Sequence, residues 1–152
     1  MISISPTSDM HYVRNVFTSP DVWPNVCDDW TDDVTNYYPP EHETMFYLVP
    51  MVDGEPAGCL LIQRLNGVLV ELHSALFPAY RGKDTGLIFN ALVQYLNDEM
   101  PDIKRLRTWV PSCNRAATVA AKRIGMEVIG TEPKSYMKNN ELHDLHLFGV
   151  AI

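Results

Sequence analysis

The sequence predicts a mixed α/β fold: a mostly antiparallel sheet of six to seven strands with helices on both faces. Strand-like alternation recurs over residues 45–52, 57–64 and 68–77, and the hairpin dipeptides Asp53-Gly54 and Asn66-Gly67 separate these runs. Helical periodicity follows over residues 85–97, where Leu87, Ile88, Ala91, Leu92 and Tyr95 recur on one face. A strand, a helix and two closing strands come next, so the element order is β-α-(α)-βββ-α-β-α-ββ.

Residues 2–5 alternate briefly as an edge strand, and Thr7, Ser8 and Asp9 offer N-caps to a helix carrying Tyr12, Val13, Val16 and Phe17. Residues 19–43 are rich in Pro, Asp and aromatics, including Trp23, Trp30, Tyr37 and Tyr38, and end in Pro39-Pro40. That aromatic content is too high for a solvated tail, so short helical turns and loop are expected there. In the strand over 68–77, Val68, Val70, Leu72, Ser74 and Leu76 share one face; Leu69, Glu71, His73 and Ala75 share the other. Pro101-Asp102 breaks the chain after the helix, and residues 106–110 form the next strand. Asn114 opens a small-residue helix over 115–124, closed by Gly125. Residues 126–130 and 143–152 complete the sheet, joined across Lys138-Asn139-Asn140. No internal repeat interrupts this order.

At 152 residues the chain fits one domain, residues 1–152, with 46% apolar and 20% charged content. No apolar run approaches the ~20 residues of a membrane span, and the first residues lack an export-signal pattern. A cytoplasmic protein without a membrane partner is expected. Cys27, Cys59 and Cys113 are distant and odd in number, which fits reduced thiols. No cysteine or histidine spacing matches a metal site, so no metal is expected. The net charge of −7 is uneven: residues 1–50 hold eight acids against one base, Arg14. This acidic excess reads either as an acidic rim facing a cationic ligand or as a solvated acidic face. The neutral remainder shows no basic cluster of the kind that neutralises nucleic-acid phosphates.

The stretch Pro78-Ala79-Tyr80-Arg81-Gly82-Lys83-Asp84-Thr85-Gly86 is a basic, glycine-bearing turn at a helix start. The first N–H groups of a helix lack intrahelical partners, and its dipole adds positive charge there, so such a turn suits an anion, most often a phosphate. An ordinary turn with solvated Arg and Lys is the alternative. A proton acceptor for an amine nucleophile would be a carboxylate or imidazole. Glu71 and His73, two apart on one strand face, are the candidates; an exposed polar strand face is the other explanation for the pair.

With Leu76-Phe77-Pro78-Ala79-Tyr80-Arg81-Gly82-Lys83-Asp84-Thr85-Gly86, then Asn114-Arg115-Ala116-Ala117, Ile124-Gly125-Met126, Gly130 and Asp144 in this order, the chain resembles the GNAT superfamily of acyl-CoA-dependent N-acetyltransferases over almost its full length. The resemblance implies that Arg81, Gly82, Lys83, Asp84, Thr85 and Gly86 cradle the pyrophosphate of coenzyme A. It implies further that amides near Leu76 bind the thioester oxygen, that Phe77 beside it belongs to the cofactor-binding residues, and that Asn114 contacts the cofactor arm. Acetyl-CoA would be the co-substrate and a primary amine the acceptor, with a homodimer left open. Trp23, Asp28, Asp29, Trp30 and Asp32, in the segment that shapes the acceptor pocket in this fold, would hold a cationic acceptor by charge and cation–π contact. The chain departs from the family pattern where Asp84 replaces a glycine, and where Ala121 and Ala117 stand at positions of the usual tyrosine or serine acid. Tyr136 is the remaining candidate acid. These departures leave open a second reading, a catalytically idle binding or assembly module on the same fold, of a kind familiar among tailed-phage genes.

Overall fold

Local signals set most of the elements. In the computed structural model, which describes residues 1–152, the order is β1 (Ile2–Thr7), α1 (Met10–Phe17), α2 (Trp23–Val26), β2 (Met45–Val52), β3 (Glu55–Pro56), β4 (Gly58–Arg64), β5 (Leu69–Leu76), α3 (Lys83–Glu99), β6 (Arg105–Pro111), α4 (Arg115–Arg123), β7 (Glu127–Lys138) and β8 (Glu141–Ala151). The carboxylate of Asp9 caps α1 by accepting from Tyr12 N, and Asn114 caps α4 by accepting from Ala117 N. At the far end of α4, Gly125 N donates to Lys122 O and Met126 N to Ala121 O, the paired bonds of a Schellman cap. No helix is long and apolar enough to cross a membrane.

The strands form one sheet in the order β1-β2-β4-β5-β6-β8-β7, with the two-residue β3 attached to β2. The sheet thus has eight strands rather than the six or seven expected, because β3 pairs on the return from the Asp53-Gly54 turn. Every pairing is antiparallel except β5 with β6. The sequence also places the end of β7 at Gly130, whereas the strand runs on to Lys138. Its pairing with β8 survives Pro133 because register shifts between Val128 and Gly130, and between Glu132 and Tyr136, absorb the irregular stretch. Helix α3 starts two residues before the predicted Thr85, at Lys83.

Two apolar clusters lie on the two faces of the sheet. On one, Leu48, Leu60, Ile62, Val70, Leu72, Leu106 and Phe148 pack against Ile88, Leu92 and Leu96 of α3 and Ala121 of α4. On the other, Tyr47, Cys59, Leu61 and Ala75 pack against Val13, Val16 and Phe17 of α1. The alternation of side chains along each strand divides them this way. Gly58 marks a tight approach of β4 to β5: a Cβ there would meet Ala75 O at 2.0 Å.

What positions the site is a split in the sheet. Strands β5 and β6 pair only at Leu69–Arg105, Val70–Leu106 and Glu71–Arg107. Beyond Glu71, β5 stays with β4 as far as Leu76–Gly58, while β6 follows β8 to Pro111–Leu145. A wedge therefore opens between Leu72–Leu76 and Thr108–Pro111.

Candidate active site

The wedge leads into a cavity of about 530 Å³ that passes from one face of the sheet to the other. On the α4 face it is lined by Asn114, Ala117, Ala120, Ala121, Ile124 and Met126; on the α1 and α2 face by Phe17, Trp23, Thr31, Tyr37 and Tyr136. Along β5 the backbone groups alternate in direction. Phe77 N donates to Ala57 O, so the odd-numbered residues face β4 and the even-numbered ones face the wedge. Two bonds on the wedge side agree: Leu72 O accepts from Thr108 Oγ1 and Leu76 O from Arg81 Nε. The amides of Ser74 and Leu76 accordingly point into the gap, where an oxygen that gains charge during acyl transfer would need them.

A groove opens from the wedge between the N-termini of α3 and α4. Val22, Leu76, Arg81, Gly82, Thr85, Asn114, Ala116, Ala117 and Ala120 line it, with Arg115 and Arg123 projecting from α4. Its walls carry three guanidinium groups and no carboxylate. Helix α3 is 17 residues long and no side chain caps its N-terminus; Thr85 N turns back to Gly82 O, while the amides of Lys83 and Asp84 and the helix dipole remain available to an anion. Gly82, the residue before the helix, has φ +79 and ψ −113, a conformation that favours glycine. Gly86 lies in the first turn of the helix with nothing within 4 Å of where a Cβ would stand; a helical glycine costs about 0.5–1 kcal/mol against alanine, and no packing contact in the protein demands this one. Together the arginines, the uncapped helix start and the clearance at Gly86 fit the phosphates of a nucleotide-bearing cofactor such as coenzyme A.

The sequence-predicted residues divide in this setting. Leu76, Arg81, Gly82, Thr85 and Asn114 line the groove. The Arg81 guanidinium also ties the turn down, donating to Leu76 O and to Asp21 O in the loop before α2. Lys83, Asp84 and Gly86 occupy the first turn of α3, and Phe77 packs toward the α1 cluster. The carboxamide oxygen of Asn114 is occupied by Ala117 N, which leaves its NH2 group as the donor a ligand could meet.

Glu71 and His73 do different things. His73 lines the cavity. Glu71 sits behind it with 11% of its side chain exposed, its Oε1 3.1 Å from His73 Nε2 and its Oε2 accepting from Arg107 Nε at 2.9 Å. The hydrogen bond to His73, reinforced by Arg107, holds the Glu71 carboxyl below its ordinary value despite burial. With Nε2 donating to that carboxylate, Nδ1 is left as the acceptor on the ring. Tyr136 lines the same cavity, and its hydroxyl donates to Cys27 O at 3.0 Å. Burial, with Asp28 next in effect, pushes the phenol up to about 12.

In the acceptor segment, Trp23 lines the cavity and meets Tyr37 edge to face at 5.2 Å. Trp30 is 94% exposed and turned away. Asp28 accepts from Trp30 N, Thr31 N and Thr31 Oγ1, and Asp29 accepts from Asn139 N and Asn140 N of the β7–β8 turn. Asp32 is exposed and lies outside the cavity. Sequence reasoning passed over Phe17, Tyr37, Thr108 and Trp109, whose common cavity exists only because the sheet splits. It also passed over Arg107, Arg115 and Arg123; the pair on α4, eight apart beside the Asn114 cap, was the available signal.

No protein-family model matches the sequence, and no curated protein matches it. Solved structures do. A GNAT-family acetyltransferase from Streptococcus pneumoniae superposes with a TM-score of 0.71 at 15% identity, over 100% of this chain and 99% of that one. A spermidine N-acetyltransferase from Vibrio cholerae, in complex with CoA and spermine, gives 0.69 at 11% identity over 99% and 95%. An acetyltransferase of Salmonella typhimurium that modifies the N-terminal serine of ribosomal protein L7/L12 gives 0.63 at 18% identity. That match spans 72% of this chain and 65% of the other, just under two thirds of its length. The split sheet and its two-sided cavity are thus built on the GNAT acetyltransferase fold.

Proposed function

We propose that the protein transfers an acetyl group from acetyl-CoA directly to a primary amine. The observation that carries this reading is the passage through the sheet, which joins an arginine-lined groove at a helix N-terminus to a cavity bearing His73, past the inward amides of Ser74 and Leu76. The residues of the groove fit coenzyme A, with Arg81, Arg115, Arg123 and the first turn of α3 holding its phosphates and Asn114 its arm. Acetyl-CoA supplies the activated acetyl group. The Ser74 and Leu76 amides hold the carbonyl oxygen as it gains charge, and His73 Nδ1 accepts the proton of the amine. Glu71 keeps the imidazole oriented and offsets the positive charge it acquires. Ala117 and Ala121 put methyl groups on the cofactor side, so the leaving thiolate takes its proton from Tyr136 or from water.

Thiol release from acetyl-CoA in the presence of primary amines tests the reading. His73→Gln is expected to lower kcat by about 10²–10⁴, while leaving coenzyme A binding unchanged. Absence of thiol release across a broad amine panel, with coenzyme A failing to bind, would overturn it. One observation favours a second reading, a catalytically idle binding module: Asp84 places a carboxylate in the turn that should receive phosphate.

A further inference from the structure

The acceptor half of the cavity has an unusual chemical character. Phe17, Trp23, Tyr37, Trp109, Tyr136 and Leu145 form its walls, and none of the 22 residues lining the cavity is Asp, Glu, Lys or Arg. None of the eight acids of the first fifty residues lines the cavity, and three are engaged elsewhere: Asp28 with its own loop, Asp29 with the β7–β8 turn, Asp33 with Thr35. The Glu71 carboxylate faces His73 and Arg107 instead of the cavity. An acceptor with several ammonium groups would have to leave water without one counter-charge to meet it, a large desolvation cost. A single ammonium on its way to deprotonation can rest against the faces of Trp23 or Tyr37. The body behind it must be apolar, since apolar and aromatic surface is what the walls offer.

Resting on the acetyltransferase reading, we propose that the acceptor is a small monoamine on an aromatic or branched-alkyl body, selected by the aromatic walls Phe17, Trp23, Tyr37 and Trp109. This replaces the cationic acceptor that the acidic sequence of residues 1–50 suggests.

Phenethylamine and isoamylamine are compared with spermidine in two measurements: thiol release from acetyl-CoA, and quenching of tryptophan fluorescence without acetyl-CoA. The expected result is a kcat/KM for phenethylamine and for isoamylamine at least about tenfold above that for spermidine, with quenching by the two apolar amines and none by spermidine. Spermidine turned over equally or better overturns the proposal and leaves the acetyltransferase reading standing. Quenching by phenethylamine without thiol release from any amine upholds the ligand class and removes the activity. Neither quenching nor turnover with the apolar amines overturns the proposal. Two variants sharpen the comparison. Leu145→Glu supplies the missing carboxylate and is expected to shift the ratio about tenfold toward spermidine; Trp23→Ala is expected to weaken phenethylamine several-fold without improving spermidine. An unchanged ratio in a folded variant of either kind counts against the aromatic walls as the selecting surface.

Discussion

A carboxylate with only 11% of its side chain exposed is tolerable in β5 because His73 and Arg107 both reach it. Burial by itself would favour the neutral acid; the bond to His73, then that to Arg107, reverses the balance and lowers the Glu71 pKa. The stability this confers is fully present above the unfolded value, about 4.3, and is lost as pH falls through the lower folded value. Thermal melts from pH 7 to pH 3 should therefore show an acid limb that flattens in Glu71→Gln. The variant should also be less stable at pH 7, by about 1–3 kcal/mol, because Arg107 loses its charged partner. A wild-type acid limb that persists unchanged in the variant would place the titration elsewhere. Asp84 poses the opposite problem, a carboxylate that helps the protein and opposes the ligand. In the first turn of α3 it complements the helix dipole, worth about 0.3–1 kcal/mol, yet it would repel the phosphate proposed for that turn. Asp84→Gly should thus lower the melting temperature and tighten coenzyme A at once, read by a melt and a titration on the same sample. If coenzyme A binding stays undetectable in the variant, the turn has lost its phosphate role and the idle-module reading gains.

At the scale of elements, the loop after α2 is fastened to the β7–β8 hairpin at its far end. Asp29 N donates to Met137 O, the Asp29 carboxylate accepts from Asn139 N and Asn140 N, and Lys138 Nζ reaches Pro24 O and Cys27 O. Tyr136 adds its bond to Cys27 O. Through Tyr136 this clasp reaches the wall of the cavity beside Trp23. Asp29→Ala is expected to speed hydrogen exchange at Asn139 and Asn140 several-fold, and to raise the acceptor KM more than it lowers kcat. Unchanged exchange at those amides would show that Lys138 and Tyr136 hold the loop without it. The same clasp explains what the sequence made legible. Asp53-Gly54, Asn66-Gly67, Asp9, Asn114 and Gly125 act within a few residues of themselves, so strand and helix limits near them could be read directly. The GNAT-like turn and its helix were legible for the same reason. Asp29 looked like a charge waiting for a cation because a partner 110 residues away leaves no trace beside it. The extent of β7 past Pro133 was equally hidden, since long pairing with β8 overrides the local break.

The whole molecule is two half-sheets joined by three residue pairs. β1, β2, β4 and β5 form one half and β6, β8 and β7 the other, and the parallel junction of β5 with β6 ends at Glu71–Arg107. Some other contact must hold the halves together where the wedge opens. Helix α3 supplies part of it, packing across Val70 and Leu106 in one apolar cluster. A ligand in the groove would supply the rest, because the groove has Leu76, Arg81 and the start of α3 on one wall and Asn114, Arg115 and Arg123 on the other. Binding to the folded state alone stabilises it by mass action, about 2.7 kcal/mol at a hundredfold excess over Kd. For a chain of this size each kcal/mol moves Tm by about 2–4 °C, so coenzyme A at that concentration should raise Tm by about 5–11 °C. Exchange protection should increase in β5 and β6 together, since the ligand touches both walls. A coenzyme A analogue without its 3′-phosphate should give a smaller shift in the wild type, and the difference should vanish in Arg115→Ala/Arg123→Ala. A Tm shift confined in its exchange signature to α3 would mean that the ligand sits on the helix start alone and does not bridge the split sheet.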